Sequence, residues 1–252
     1  MASRSKAAVV RAVRERLFAL ADPGFRDFQA SLVPTVPPER MIGVRTPALR
    51  ALAREMADTP EAELFLEALP HRYHEENQLH GFLVGGGKDF AKTVERLDRF
   101  LPFVDNWATC DTICPRLFAR RADELLPAVD RWLASPHLYA VRFGVVALMS
   151  FFLDEAFSPA ILRRAAAVKR DDYYAKTAVA WFFATALAKR WDEALPWVAG
   201  KRLDAETRRM AIRKGIESFR ISPERKEELR KLAGVRPRAS RGRRARRGRS
   251  AP

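Results

Sequence analysis

The chain has 252 residues, of which 48% are hydrophobic, and it carries a formal net charge of +15. This length and apolar fraction allow one large domain, or one array of repeats, to bury a core without disulfide bonds. The only two cysteines, Cys110 and Cys114, are close neighbours in the sequence, which excludes a disulfide-rich secreted scaffold and a cysteine-based metal site.

The first predicted helix spans roughly residues 4–20 and has an amphipathic pattern. Arg11, Arg14 and Arg16 interrupt its apolar residues. The region therefore contains no continuous apolar stretch that could serve as a signal peptide or a membrane span. We expect a soluble, cytoplasmic protein that does not engage a membrane.

The next segment, from Asp27 to Pro47, does not fit a helical pattern. It contains Pro34, Pro37 and Pro38. Each proline lacks a backbone donor and disfavours helical geometry at the residue before it. The sequence therefore predicts an extended connection here.

Helical periodicity continues through the rest of the folded part, with apolar residues at spacings of three and four. The predicted helices span roughly residues 47–57, 61–69, 72–84, 88–101, 107–119, 123–134, 138–153, 159–169, 172–189, 191–199, 204–218 and 222–232. No segment has the pattern of a β-strand. The fold class predicted from these patterns is all-α.

The predicted helices recur in pairs. The first helices of successive pairs begin near Lys88, Asp123, Pro159 and Asp192, a recurrence of about 35 residues that is typical of helical-hairpin solenoids. We therefore expect one curved stack of helix pairs.

The C-terminal segment, residues 234–252, contains eight arginines and no acidic residue. Its composition offers nothing to bury, which predicts a disordered tail after a folded domain of residues 1–233. Subtracting the eight tail charges from +15 leaves +7 on that domain. Because both the tail and the folded domain are basic, the sequence favours a nucleic-acid partner. The alternative explanation of the positive charge is that it improves solubility. Arg241, Arg243 and Arg244 are the candidate DNA contacts in the tail.

Four residues form a candidate site. Trp107, Arg142 and Trp181 fall near the same level of the second helix in three successive pairs, and second helices of a solenoid line one surface. Asp111 follows Trp107 by one helical turn and faces the same way. Such a groove suits a ligand that is anionic at its edges and cationic at its centre. Ordinary core aromatics and surface charges are the alternative.

A second cluster, His71, His74, Glu75 and His80, has the residue types of a metal site. Its spacing does not place all the histidines on one face of a helix. We therefore favour capping and packing roles for these side chains and predict no bound metal.

Five stretches, in this order along the chain, carry a family resemblance. They are IGVRTPALR (42–50), YHEENQLHGFL (73–83), NWATCD (106–111), YAVRFGVVALM (139–149) and YYAKTAVAW (173–181). Together they resemble the AlkD family of bacterial DNA alkylation repair proteins over nearly the whole chain, up to about Leu232. The resemblance implies a solenoid of HEAT-like repeats and a DNA glycosylase acting as a monomer on double-stranded DNA that contains alkylated bases. It also marks Thr46 and Arg50 as candidate DNA contacts.

The resemblance implies hydrolysis of the N-glycosidic bond of cationic N3- and N7-alkylpurines, with Trp107, Asp111 and Trp181 as catalytic residues and Arg142 as a DNA contact. The chemistry of these side chains suits those roles. A carboxylate stabilises an oxocarbenium-like sugar and orients water, and indole faces attract cations. A guanidinium can hold a phosphate through two hydrogen bonds. No cofactor is expected, because alkylation makes the base a good leaving group.

Two departures from the family pattern keep an alternative open. Active members carry an additional short helix near the N-terminus that helps recognise the lesion, whereas this region here is the proline-interrupted segment 32–41. Asn106 also stands where the best-known active type has an aromatic residue. The alternative function is a non-catalytic relative that binds damaged or branched DNA. The third candidate function is a protein-interaction scaffold, but the excess of arginine disfavours it.

Overall fold

A computed structural model describes residues 5–234, and within that range every regular element is helical. The α-helices are α1 Lys6–Ala19, α2 Pro23–Leu32, α3 Thr46–Met56, α4 Pro60–Leu66, α5 His74–Gly85, α6 Phe90–Phe100, α7 Trp107–Cys110, α8 Ala122–Leu133, α9 Leu138–Phe151, α10 Pro159–Ala166, α11 Tyr173–Lys189, α12 Trp191–Ala199, α13 Ala205–Glu217 and α14 Pro223–Leu232. The predicted all-α class is confirmed. Arg241, Arg243 and Arg244 lie outside the described residues.

Local chemistry fixes many of the helix starts. Thr59 accepts a hydrogen bond from the backbone N–H of Ala62 at 3.1 Å, and Pro60 occupies the first position of α4. Ser222 and Pro223 begin α14 in the same way. A side-chain oxygen satisfies a backbone donor that the helix leaves free, and proline has no donor to lose there.

The helices form two layers. Helices α3, α5, α7, α9, α11 and α13 each contact the next member of this series, which makes them one continuous inner layer. The first helices of the pairs, from α4 to α14, pack behind them and begin at intervals of roughly 30 to 37 residues, as expected for helical hairpins. The arrangement agrees with the predicted solenoid.

Ion pairs repeat along the outer layer with the same period. Three of them join successive outer helices from α4 to α10, at sequence separations of 33, 33 and 34 residues. The pairs are Glu63 with Arg96, Asp98 with Arg131 at 2.9 Å, and Asp130 with Arg164 at 2.8 Å. Partly exposed pairs of this kind add little stability individually, but their equal spacing shows that equivalent positions of neighbouring repeats face each other.

The prediction of an extended connection over residues 27–47 is wrong at its start, because α2 extends to Leu32. The cause is local: Asp22 accepts a hydrogen bond from the N–H of Phe25 at 3.0 Å, and Pro23 takes the first helical position. Beyond Val33 the chain is irregular up to α3, apart from a single 3-10 turn at Pro38–Arg40.

The predicted helix 107–119 is also wrong in length. Helix α7 ends at Cys110 after one turn, and a separate 3-10 turn spans Arg116–Arg120. Pro115 lies between them, and the residue before a proline is disfavoured in a helix. The two cysteines therefore do not share a helix, and Cys110 is buried whereas Cys114 is exposed.

Within residues 5–234, no helix is long and apolar enough to cross a lipid bilayer. Most of the buried apolar side chains form one cluster that runs from Val9 to Leu229, and Val33, Val36 and Met41 form a second, small one. Helices α5 and α9 of the inner layer are buried along most of their length.

Candidate active site

The carboxylate of Asp111 and the guanidinium of Arg142 meet on the inner layer. Asp111 directly follows α7, and Arg142 belongs to α9. The Nε of Arg142 donates to Oδ1 of Asp111 at 2.8 Å, and Nη2 donates to Oδ2 at 2.6 Å. Their side chains are only 14% and 7% exposed. The result is a two-point, charge-assisted pair with a fixed carboxylate orientation.

Arg142 is held from a second direction by α11. Its Nη1 donates to the carbonyl of Tyr174 at 2.8 Å and to Oγ1 of Thr177 at 3.3 Å. Burial disfavours the charged guanidinium, but the hydrogen bonds and the charge of Asp111 outweigh burial and raise the pKa of Arg142. Arg142 therefore stays charged and ties α9 to both neighbouring inner helices.

These contacts bear on the predicted DNA contact of Arg142, which stays a prediction. They occupy four of the five N–H donors that a guanidinium has. A two-point grip on a phosphate would require the pair with Asp111 to open. In this structure the two-point partner is the carboxylate rather than the predicted phosphate, because the carboxylate and the guanidinium lie buried beside each other.

Trp107 is the first residue of α7 and is partly buried. Its indole N–H donates to the carbonyl of Leu32, the last residue of α2, at 3.3 Å. The indole also packs on a small apolar cluster formed by Val33, Val36 and Met41. Trp107 therefore connects the candidate site to the N-terminal segment, although 75 residues separate the indole from Leu32.

Asn106 is the N-cap of α7 and belongs to a buried chain of polar side chains. Its Oδ1 accepts the N–H of Thr109 at 2.8 Å, and its Nδ2 lies 3.3 Å from Nδ1 of His74. The other ring nitrogen of His74 lies 3.0 Å from the amide nitrogen of Gln29 in α2. This buried polar chain fixes α7 against α5 and α2. The local pattern Asn106 to Thr109 is an N-cap signal that could have been recognised in the sequence.

The buried carboxylate of Glu75 shapes the approach to α3. Its oxygens accept the backbone N–H groups of Ile42 at 2.9 Å, Gly43 at 2.7 Å and Val44 at 3.4 Å. Gly43 has a φ of 92°, and a Cβ there would meet the carbonyl of Asp22 at 2.5 Å. Only glycine fits this turn, which leads into α3 at Thr46.

The remaining members of the His–Glu cluster are packed in the core. His71 and His80 contact each other at 2.9 Å and stack on Phe65 and Phe100. In the part of the chain that the structure describes, no group of three metal-binding side chains is placed to hold an ion. The predicted packing roles fit these contacts.

Trp181 lies on α11, one turn beyond Thr177, and is partly buried. Trp107 precedes Asp111 by one turn on the other side of the pair. The structure thus brings Asp111 and Arg142 into direct contact and places the two tryptophans on either side along the inner layer.

Residues 13–219 match the sequence profile of a family described as DNA alkylation repair enzyme. The chain belongs to the DNA alkylation repair enzyme family. Among curated proteins, none matches it. The matched range contains all four residues of the candidate site and ends at the turn between α13 and α14.

In this DNA alkylation repair family member, the candidate DNA contacts Thr46 and Arg50 lie one turn apart at the start of α3. Arg50 is exposed, with its guanidinium 4.3 Å from the ring centre of Phe82. It lines a cavity of about 570 Å³ together with Arg54 and Arg116. Three arginines therefore give the cavity a positive charge. Contact of Thr46 and Arg50 with DNA stays a prediction.

The buried histidines predict that this repair-family protein loses stability in mild acid. Burial lowers the pKa of His71 to about 4, and burial also lowers the pKa values of His74 and His80. The unfolded chain therefore binds more protons than the folded chain between about pH 6.5 and pH 4. From pH 7 to pH 5, His71 alone should reduce the free energy of unfolding by about 2 kcal/mol. Urea unfolding at both pH values measures this.

The matched variant for that experiment is His71→Phe, which removes the titrating ring and keeps an aromatic partner for Phe65. It should show a smaller loss of stability between pH 7 and pH 5. Equal pH dependence in the variant and the wild type would contradict the assignment to His71.

Proposed function

We propose that this protein hydrolyses the N-glycosidic bond of N3- and N7-alkylated purines in double-stranded DNA. The observation that carries the proposal is the largely buried carboxylate of Asp111, oriented at both oxygens by Arg142. Trp107 on α7 and Trp181 on α11 belong to the inner helices on either side of α9, which carries Arg142. The family is one of DNA alkylation repair enzymes. A fixed anion is suited to a reaction that develops positive charge.

In the proposed reaction the bond between C1′ of the deoxyribose and the alkylated base breaks. The bonding electron pair leaves with the base and neutralises its positive charge. Asp111 stabilises the oxocarbenium-like sugar and orients a water molecule, whose oxygen bonds to C1′ while one proton is released. The products are a free alkylated base and an abasic site.

Arg142 acts on the carboxylate rather than on the sugar in this proposal. Its two hydrogen bonds fix the direction of both oxygens, and each oxygen retains a lone pair for another partner. The indoles of Trp107 and Trp181 add attraction for a cation of about 0.5 to 2 kcal/mol each, depending on desolvation. Neither the orientation of the carboxylate by Arg142 nor the attraction of a cation by the indoles requires a metal ion or an organic cofactor.

Helix α2 favours the catalytic interpretation over the non-catalytic alternative. The resemblance associates activity with an additional short helix near the N-terminus. Here a ten-residue helix, Pro23–Leu32, directly precedes the proline-rich segment, and its last carbonyl accepts the indole N–H of Trp107. A short N-terminal helix is thus in contact with a candidate catalytic residue.

One observation favours the alternative, a relative that binds damaged DNA without cleaving it. The carboxylate of Asp111 already has a guanidinium partner, and this charge weakens the field that Asp111 exerts on a sugar cation. The deciding experiment is release of free base from duplex DNA containing 7-methylguanine or 3-methyladenine. Release above that from the same duplex without protein supports the glycosylase. Duplex binding without release supports the alternative.

Deleting residues 234–252 should weaken binding to duplex DNA without changing the rate of base release at saturating DNA. The deletion removes eight arginines, and each lost phosphate contact makes the slope of log K against log salt less negative by about 0.9. Titrations at several salt concentrations measure this. A tail of equal length with serine in place of arginine should behave like the deletion. Unchanged affinity and slope would remove the tail from DNA binding.

A further inference from the structure

The turn between α13 and α14 displays a phenylalanine to solvent. Phe219 is fully exposed, whereas Ile221 two residues later is buried. The turn is shaped locally, because Oγ of Ser218 accepts the backbone N–H of Arg220 at 3.2 Å. An anchored turn therefore holds a large apolar ring away from the core, where its exposure adds nothing to folding.

Positive charge lies beside this ring, with the Nζ of Lys226 6.0 Å from its centre. A cavity of about 240 Å³ beside the turn is lined by Trp181, Lys214 and Arg220, among others. Neither of these two cations has an ion pair within residues 5–234. The acidic side chain at the cavity, Glu217, is already paired with Arg213 at 3.0 Å. The cavity thus has a surplus of cations.

The cavity shares one residue, Trp181, with the candidate active site. Trp181 belongs to α11 and Lys214 to α13, and these two inner helices pack extensively against each other. The nucleotide strand that places its sugar beside Trp181 would therefore continue towards the cavity. An aromatic ring flanked by cations is a common arrangement for contacts with nucleic acid, where cations bind phosphates and the ring packs on sugars or bases.

We propose that this turn and cavity form a second DNA contact. Lys214 and Arg220 bind a phosphodiester group in the cavity, and Phe219 packs against the adjoining nucleotide. The contact fixes the strand relative to Trp181. This inference rests on the proposed function, since it requires that the inner layer bind duplex DNA.

Undamaged duplex DNA tests the cationic half of the contact. The double variant Lys214→Ala/Arg220→Ala should make the salt slope less negative by about 0.9, because one phosphate is no longer neutralised. The matched control is Arg11→Ala/Arg163→Ala, which removes the same charge from exposed positions on α1 and α10. The control should change the slope by less than half as much.

The aromatic half is tested with Phe219→Ala on the same duplex. The variant should bind about 5- to 100-fold more weakly with an unchanged salt slope, since no charge is removed. Leu20→Ala, at an exposed apolar position after α1, is the control and should bind as the wild type does. Wild-type affinity for Phe219→Ala, or a wild-type slope for the double variant, would overturn the second contact. A wild-type protein that does not bind duplex DNA would instead refute the proposed function itself.

Discussion

Asp111→Asn is expected to lower single-turnover release of 7-methylguanine by about 100- to 1000-fold, the usual cost of removing one preorganised electrostatic group. The amide is nearly isosteric with the carboxylate but carries no charge to stabilise the sugar cation. Duplex affinity should be kept, because a negative charge that faces phosphates does not help binding. Release should be measured at saturating DNA, alongside affinity.

The control for this experiment is Asp130→Asn. Asp130 also accepts two hydrogen bonds from one arginine, Arg164, but it lies on the outer helix α8. The control loses a similar ion pair and should release base at the wild-type rate. Equal release by Asp111→Asn and wild type would exclude a catalytic role for Asp111. An absence of release from both would favour the non-catalytic DNA-binding function.

Arg142→Gln should reduce the free energy of unfolding by about 3 to 5 kcal/mol, as expected when one partner of a buried ion pair is removed. The variant leaves the carboxylate of Asp111 buried without its counter-ion, and it also removes donors from the carbonyl of Tyr174. Urea unfolding at neutral pH measures the loss. The partly exposed pair of Asp130 and Arg164 supplies the control, and Arg164→Gln should cost less than about 1 kcal/mol.

A double-mutant cycle identifies the source of that loss. If the uncompensated carboxylate is the cause, Asp111→Asn/Arg142→Gln should be more stable than Arg142→Gln alone, because the buried charge is gone. Additive losses would show that the two side chains do not interact and would contradict the paired geometry. Base release by Arg142→Gln, measured on folded protein, should also fall, since the carboxylate loses its fixed orientation.

The repeating architecture could be predicted from the sequence because its cause is local. Apolar residues at spacings of three and four define each helix from α3 onwards, and side-chain caps such as Thr59 mark where helices begin. The recurrence of the pairs then predicts which helices share a layer. The two wrong assignments also involve local signals. Asp22 and Pro23 begin α2, although the prolines that follow favour an extended chain. Pro115 separates α7 from the next turn, although the apolar pattern continues across it.

The partners of the site residues could not be predicted in the same way. The sequence placed Trp107, Asp111, Arg142 and Trp181 on one surface, since periodicity fixes which face of a helix a residue occupies. It did not predict that Arg142 binds Asp111, because the two residues are 31 positions apart. Whether the guanidinium pairs with a carboxylate or with a phosphate depends on its distance from the Asp111 oxygens and on the burial of both groups. Only the packing of α9 between α7 and α11 sets these quantities.

The buried polar chain behind α7 was decided by tertiary structure for the same reason. His74, Glu75 and Asn106 have residue types that fit a metal site, a cap or a solvated surface equally well. All three are buried, His74 and Glu75 on α5 and Asn106 at the start of α7, so each must find a protein partner. The partners of His74 and Glu75 come from α2, from the turn before α3 and from Asn106 itself. The sequence determined which helices form and which faces they present. The packing of distant segments determined which charges are paired, because desolvation and distance arise only when those segments meet.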